Sequence, residues 1–159
     1  MATAIANGIE QFRADYHTLP LPSTPAPPGS DNDTDTSSAH PFICVVMGKE
    51  PESETRQNPR SIDFVEGIKQ AQKSPPKEAP PLWKNGRFFE ETTGSYGIVD
   101  AWGTPYRIRL DTNNDKTVLN PNADQVAEGR TAIPKYVLVW SAGKDRDWYT
   151  WNDNPMSWD

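Results

Sequence analysis

Apolar positions open the chain at a helical spacing. Ile5, Ile9, Phe12 and Tyr16 recur at intervals of four, three and four, which draws one stripe along residues 1–18. Leu19-Pro20 ends that run, because the residue before a proline is pushed out of the helical region. The stripe starts almost at once with no convincing cap, so the segment is expected to be the lower part of a longer helix whose upstream part is missing. Residues 20–38 (PLPSTPAPPGSDNDTDTSS) read as a low-complexity loop, stiffened by proline first and solvated by Asp, Ser and Thr afterwards. Residues 39–48 form a short apolar element. Its β-branched content speaks for a strand, whereas Ser37/Ser38 as start and Gly48 as stop speak for a helix, and helix is the expectation. After a polar loop over 49–60, Ile62, Phe64, Val65 and Ile68 mark a second amphipathic piece. The prolines of residues 74–81 require irregular backbone.

The second half changes period. Residues 97–111 alternate and carry the β-formers Ile98, Val99, Trp102, Tyr106, Ile108 and Leu110, with Val118-Leu119 continuing after a turn. Residues 135–141 (KYVLVWS) are the clearest strand of the chain. A helix first, strands later and no βαβ alternation predict an α+β fold: an N-terminal amphipathic helix on a small antiparallel sheet. The 159 residues suit one domain. Its expected parts are the helix over 1–19, the loop over 20–38, a variable insertion over 39–95, and a sheet with a C-terminal loop over 96–159.

Composition narrows the function classes. The net charge of −6 and pI near 4.9 argue against a nucleic-acid partner, which needs a Lys/Arg-rich face, and against docking on an anionic lipid surface. Mean hydropathy is −0.78, and no run approaches the roughly 18 apolar residues of a bilayer span, so the chain as it stands is expected to be soluble. Sixteen prolines exclude long uninterrupted helices over most of its length. One cysteine, Cys44, allows no internal disulfide and reads as a buried small hydrophobe within FICVVM. Two histidines, His17 and His40, leave too few ligands for a His-rich zinc site.

Three constellations bear on chemistry. Asp111, Asn113 and Asp115 alternate like the opening of a calcium loop, but Lys116 and Asn122 stand where such a loop needs Gly and Glu, so an Asn/Asp-rich hairpin turn is the better reading. The alternating Asp31, Asp33 and Asp35 likewise read as a solvated turn. At the C-terminus, Asp145, Asp147, Asp153, Asn154 and Asp159 crowd into 15 residues directly after a strand. Such carboxylates repel one another unless a cation or hydrogen-bond donors offset them. Side-chain and backbone oxygens together are what Ca²⁺ takes. A solvated acidic tail is the other reading, and Trp148, Trp151 and Trp158 tell against it. Glu90-Glu91 or Asp145/Asp147 as a glycosidase pair finds no supporting motif, so no enzyme and no catalytic residue is expected.

Three stretches in order carry a family resemblance. Residues 12–22 (FRADYHTLPLP) offer Asp15, Leu19 and Pro20; residues 99–108 (VDAWGTPYRI) offer Asp100, Trp102, Gly103, Pro105 and Tyr106, with Ala101 where proline is usual; the end offers SAGKD and NDNPMSWD. Together they resemble the periplasmic head of a type II secretion pseudopilin, most similar to the major subunit, over about the first 20 and last 60 residues. The resemblance implies a pilin-like fold and a structural filament subunit of a bacterial secretion or pilus system. It also implies a periplasmic domain anchored in the inner membrane only through the missing N-terminal helix, with other pseudopilin subunits and the secretion machinery as partners. It implies that Trp102, Gly103, Pro105 and Tyr106 are structural. It implies a Ca²⁺ ion ordering the C-terminal loop, with Asp145 and Asp153 as ligands, Asn154 offering a neutral oxygen at an aspartate position, and Asp147 as an addition without a family counterpart. The alternatives are a secreted or surface tryptophan-rich module binding glycan or protein, and a small hydrolase.

Overall fold

The computed structural model describes residues 1–22, 26–53, 55–73, 82–123 and 131–158. The N-terminal stripe forms helix α1 (Ala2–Tyr16), with Ile5, Ile9 and Phe12 fully buried. The helix ends at His17 in the left-handed region, φ 57°, and Leu19-Pro20 carries the chain away. None of the described helices is long and apolar enough to cross a membrane.

The helix lies on a three-stranded antiparallel sheet of β1 (Asn32–Asp35), β6 (Arg107–Leu110) and β9 (Val137–Trp140), with β6 in the centre. Registers are Thr34 opposite Ile108 and Ile108 opposite Val139. Ile108, Leu110, Val137 and Val139 join Ile5 and Ile9 in one buried cluster. The opposite face of β9 is covered too. Trp140 meets Trp151 and Trp158 at ring separations of 6.1 and 6.0 Å, which is why this strand is apolar at every position. The short helix α2 (Phe42–Val46) is apolar all round and buried against α1, β1 and β5 (Ser95–Val99). β5 pairs with β4 (Gly86–Glu90) in a hairpin; β2 (Gln72–Lys73) pairs with β3 (Trp83–Lys84), and β7 (Val118–Leu119) with β8 (Ala132–Ile133). The fold is α+β, with one N-terminal helix, a second short helix and several small antiparallel sheets.

Three expectations change. Within the expected loop over 20–38, residues 32–35 are a strand of the main sheet. Asn32 and Thr34 are buried, and Asp33 reaches Arg109 across the strand pair in a two-pronged ion pair of 2.5 and 2.7 Å. The second amphipathic piece is a run of turns over 64–67. Asp63 Oδ1 accepts Val65 N at 3.1 Å, and Asn58 binds both Ile62 N and Ile62 O, so side chains take backbone groups that a helix would need. The alternating stretch over 97–111 is divided between β5 and β6 by a turn at 100–104. The irregular segment expected over 74–81 lies outside the described residues.

Two polar side chains tie these small pieces together. Asn58, 1% exposed, accepts the Tyr16 hydroxyl at 2.7 Å and donates to Val45 O at 2.8 Å, linking α1 to α2. Thr36 has no exposed surface. Its backbone N–H donates to Tyr106 O and its carbonyl accepts Ile98 N; its hydroxyl donates to Ile98 O and accepts Tyr106 N. The β4–β5 hairpin is thereby stitched to the main sheet through one residue. Thr36→Val keeps the shape but strands the buried Tyr106 N–H, which costs about 1–3 kcal/mol. Thr36→Ser keeps the hydroxyl and loses one methyl, about 0.8 kcal/mol. Urea denaturation is expected to rank Val clearly below Ser; Val at or above Ser contradicts the stitch.

Candidate functional site

The C-terminal loop grows from the end of β9 and returns to the same strand. Ser141 N donates to Pro155 O at 3.0 Å, Ser157 N donates to Val139 O at 2.9 Å, and Val139 N donates to Ser157 Oγ at 2.9 Å. The outer edge of β9 is thus closed by the tail. The tryptophans fix the loop body: Trp148 Nε1 donates to Pro105 O at 3.1 Å, Trp140 Nε1 donates to Trp148 O at 3.2 Å, and the Arg107 guanidinium stacks 4.8 Å over Trp148.

The Trp-Gly turn is built around Asp100. This carboxylate is 1% exposed. Its Oδ1 accepts Trp102 N and Thr104 N, each at 2.9 Å, and its Oδ2 accepts the Ser141 hydroxyl at 2.6 Å. Gly103 sits at φ 89°, a conformation that excludes a side chain at low cost. Tyr106 is buried beneath, and its hydroxyl pKa is pushed upward by burial and by the Asp100 charge. Sequence reasoning singled out the turn and the loop separately. It missed the bond between them, which joins positions 41 residues apart.

The four predicted ligand residues fall into two groups. Asp145 and Asp147 sit in the exposed outer part of the loop. Both oxygens of Asp145 are engaged, one by the Thr150 hydroxyl and the other by Asp147 N at 2.9 Å. Those two bonds, the hydroxyl's the larger, hold the Asp145 pKa below its ordinary value. Asp147 Oδ1 accepts Tyr149 N at 2.9 Å. Asp153 and Asn154 lie at the loop base beside Gly143. Asp153 Oδ2 accepts Lys144 N at 2.8 Å. Asn154, 5% exposed, donates through Nδ2 to Asp147 O at 3.0 Å, and its Oδ1 is buried with no hydrogen-bond partner among the described residues. Gly143 makes this close approach possible: a Cβ there would stand 2.6 Å from Asn154 Oδ1 and 2.8 Å from Asp153 O.

Among the described residues, no three His, Cys, Asp or Glu side chains are placed to share a metal ion. The oxygens gathered against Gly143 at the loop base are of another kind: the unpartnered Asn154 amide oxygen, the Asp153 carboxylate and the Asp153 carbonyl. Neutral oxygens of this sort suit Ca²⁺, a hard cation that accepts amide and backbone carbonyl oxygens alongside carboxylates. An unsatisfied buried amide oxygen is otherwise costly, so the residues present fit the ion.

The remaining acidic groups resolve differently. Asp111 is fully buried and accepts Asp115 N at 3.2 Å and Lys116 N at 2.9 Å, so Asp111, Asn113 and Asp115 form a self-satisfied turn. That turn connects β6 to β7 rather than closing a hairpin, since β7 pairs with β8. Asp35 faces His40 at 3.5 Å. Glu90 binds Thr92 on the surface. Cys44 is buried, 3.3 Å from Ser95 Oγ.

Asp31 is held above its ordinary value of 3.8. Burial is the main cause, the Leu119 amide opposes it, and the like charges of Asp115 and Asp111 add to it. The folded state therefore binds this proton more tightly than the unfolded chain. The ionised group costs no stability below the unfolded pKa, and the cost grows as pH rises through the folded one. Asp31→Asn keeps an acceptor for Leu119 N and removes the charge. We expect it to raise the urea midpoint at pH 7, with the gain vanishing near pH 3; an equal gain at both pH values contradicts this account.

Comparison of the chain with protein-family models, with curated proteins and with solved structures finds no match in any of the three.

Proposed function

We propose that this chain is the globular head of a pseudopilin-like filament subunit. It acts as a structural element of a bacterial secretion or pilus system and carries out no catalysis. The observation that carries this reading is the 2.6 Å bond from Ser141 Oγ to Asp100 Oδ2. Asp100 opens the Asp-Ala-Trp-Gly-Thr-Pro-Tyr stretch and Ser141 opens Ser-Ala-Gly-Lys-Asp, the two motifs that most resemble that family. Their meeting in space supports treating them as one device. The third motif supports it as well: Asp15, Leu19 and Pro20 lie at the exit of an amphipathic helix seated on an antiparallel sheet, in keeping with the pilin-like fold that this reading implies.

On this reading α1 continues upstream into an apolar membrane segment. The head lies in the periplasm, and its partners are other copies and related subunits, with the secretion machinery around them. Asn154 Oδ1 and Asp153 at the loop base would hold a Ca²⁺ ion, with Asp145 and Asp147 as the nearby carboxylates of the same loop. Such an ion would supply charge neutralisation to the loop. Favouring this over a tryptophan-lined binding groove, the indole N–H groups of Trp140 and Trp148 are already spent on backbone carbonyls.

Two measurements test the reading. The natural gene upstream of Met1 is expected to encode about 20 apolar residues in phase with Ile5, Ile9 and Phe12, and its full product to fractionate with membranes. A native start at Met1, or a folded domain upstream, overturns it. In thermal and urea melts, Ca²⁺ at a hundredfold excess over its Kd is expected to add about 2.7 kcal/mol relative to chelator, and Asp153→Ala to remove that increment. Identical melts with Ca²⁺ and with chelator overturn the calcium assignment.

A further inference from the structure

A cation loop works best with its base held in one geometry before the ion arrives, and the short side chains of Asp153 and Asn154 at that base reach only as far as their backbone lets them. The structure shows one continuous path that does this. Asp100 is fixed in the Trp-Gly turn by two amides, and its free oxygen takes the Ser141 hydroxyl. Ser141 Oγ then accepts Gly143 N at 3.0 Å. Gly143, at φ 66°, is the residue against which Asp153 and Asn154 Oδ1 are packed. Ser141 N also grips Pro155 O, the residue after Asn154. Ser141 thus holds both ends of the loop base, and Asp100 fixes the direction of its hydroxyl.

We infer that Asp100 and Ser141 are positioning residues for the cation loop: they set its affinity for Ca²⁺ without contacting the ion. The Asp100 carboxylate accepts three hydrogen bonds, from Trp102 N, Thr104 N and the Ser141 hydroxyl. Its role is that of an outer-sphere partner, and removing such partners typically weakens metal binding about 10–100-fold. The inference rests on the calcium reading above.

Calorimetric titration of the chain with Ca²⁺ separates the two. Ser141→Ala is expected to raise the Kd at least tenfold, measured at a temperature where the ion-free variant is folded. Asp100→Asn is expected to raise it similarly, and the double variant to be no worse than Ser141→Ala alone, since both act along one path. Ser141→Ala by itself decides the matter should Asp100→Asn fail to fold. A purely structural role would lower the melting point and leave the Kd of the folded variant at the wild-type value; that result overturns the inference and leaves the calcium reading standing. Absence of Ca²⁺ binding by the wild type overturns both.

Discussion

The seam between α1 and the strand pair β6–β9 is the constraint on which the rest depends. With a single cysteine, the chain has no internal covalent staple. Its sheets have two or three short strands, and isolated two-stranded hairpins are marginal in water. Ile5, Ile9 and Phe12 are fully withdrawn from solvent, each worth about 1.5–3 kcal/mol relative to exposure. Ile5 and Ile9 share one buried cluster with Ile108, Leu110, Val137 and Val139, and Phe12 packs against Tyr16 and Phe64. The hairpin, α2 and the C-terminal loop pack on that layer, and buried polar nodes at Thr36, Asn58 and Asp100 add specific hydrogen bonds between the pieces. Apolar burial holds the sheet, and buried, fully satisfied hydrogen bonds fix how the surrounding pieces are arranged.

What was legible in the sequence follows this division. The helix and β9 were readable because burial leaves a period: one stripe at helical spacing, one unbroken apolar run. β1 was not, because Asn-Asp-Thr-Asp has none of the usual strand formers. It is a strand because β6 offers it a partner and because Arg109 answers Asp33, which is tertiary context overriding local preference. The piece around Phe64 is amphipathic in sequence and forms turns, because Asn58 and Asp63 take its backbone groups.

The candidate site shows the same limit. Carboxylates, tryptophans and the turn glycine were visible as types and spacings. Their division of labour was not. Asp145 spends both oxygens within its own loop, whereas Asn154 carries a buried oxygen with no hydrogen-bond partner among the described residues. A long-range bond such as Asp100 to Ser141 leaves no periodic trace, because each partner looks locally like a turn residue. The buried Asp100 carboxylate joins the Trp-Gly turn to the loop base through the Ser141 hydroxyl, a link between two segments that look unrelated along the chain.

Native-state hydrogen exchange tests the central claim most directly. If α1 and the sheet form one cooperative unit, the amides of Ile9 and Phe12 in α1 and of Val139 in β9 exchange with a common free energy equal to that of global unfolding, and with the same denaturant dependence. Exchange of the helix amides through a separate, much cheaper opening, with Val139 still protected, would contradict the account.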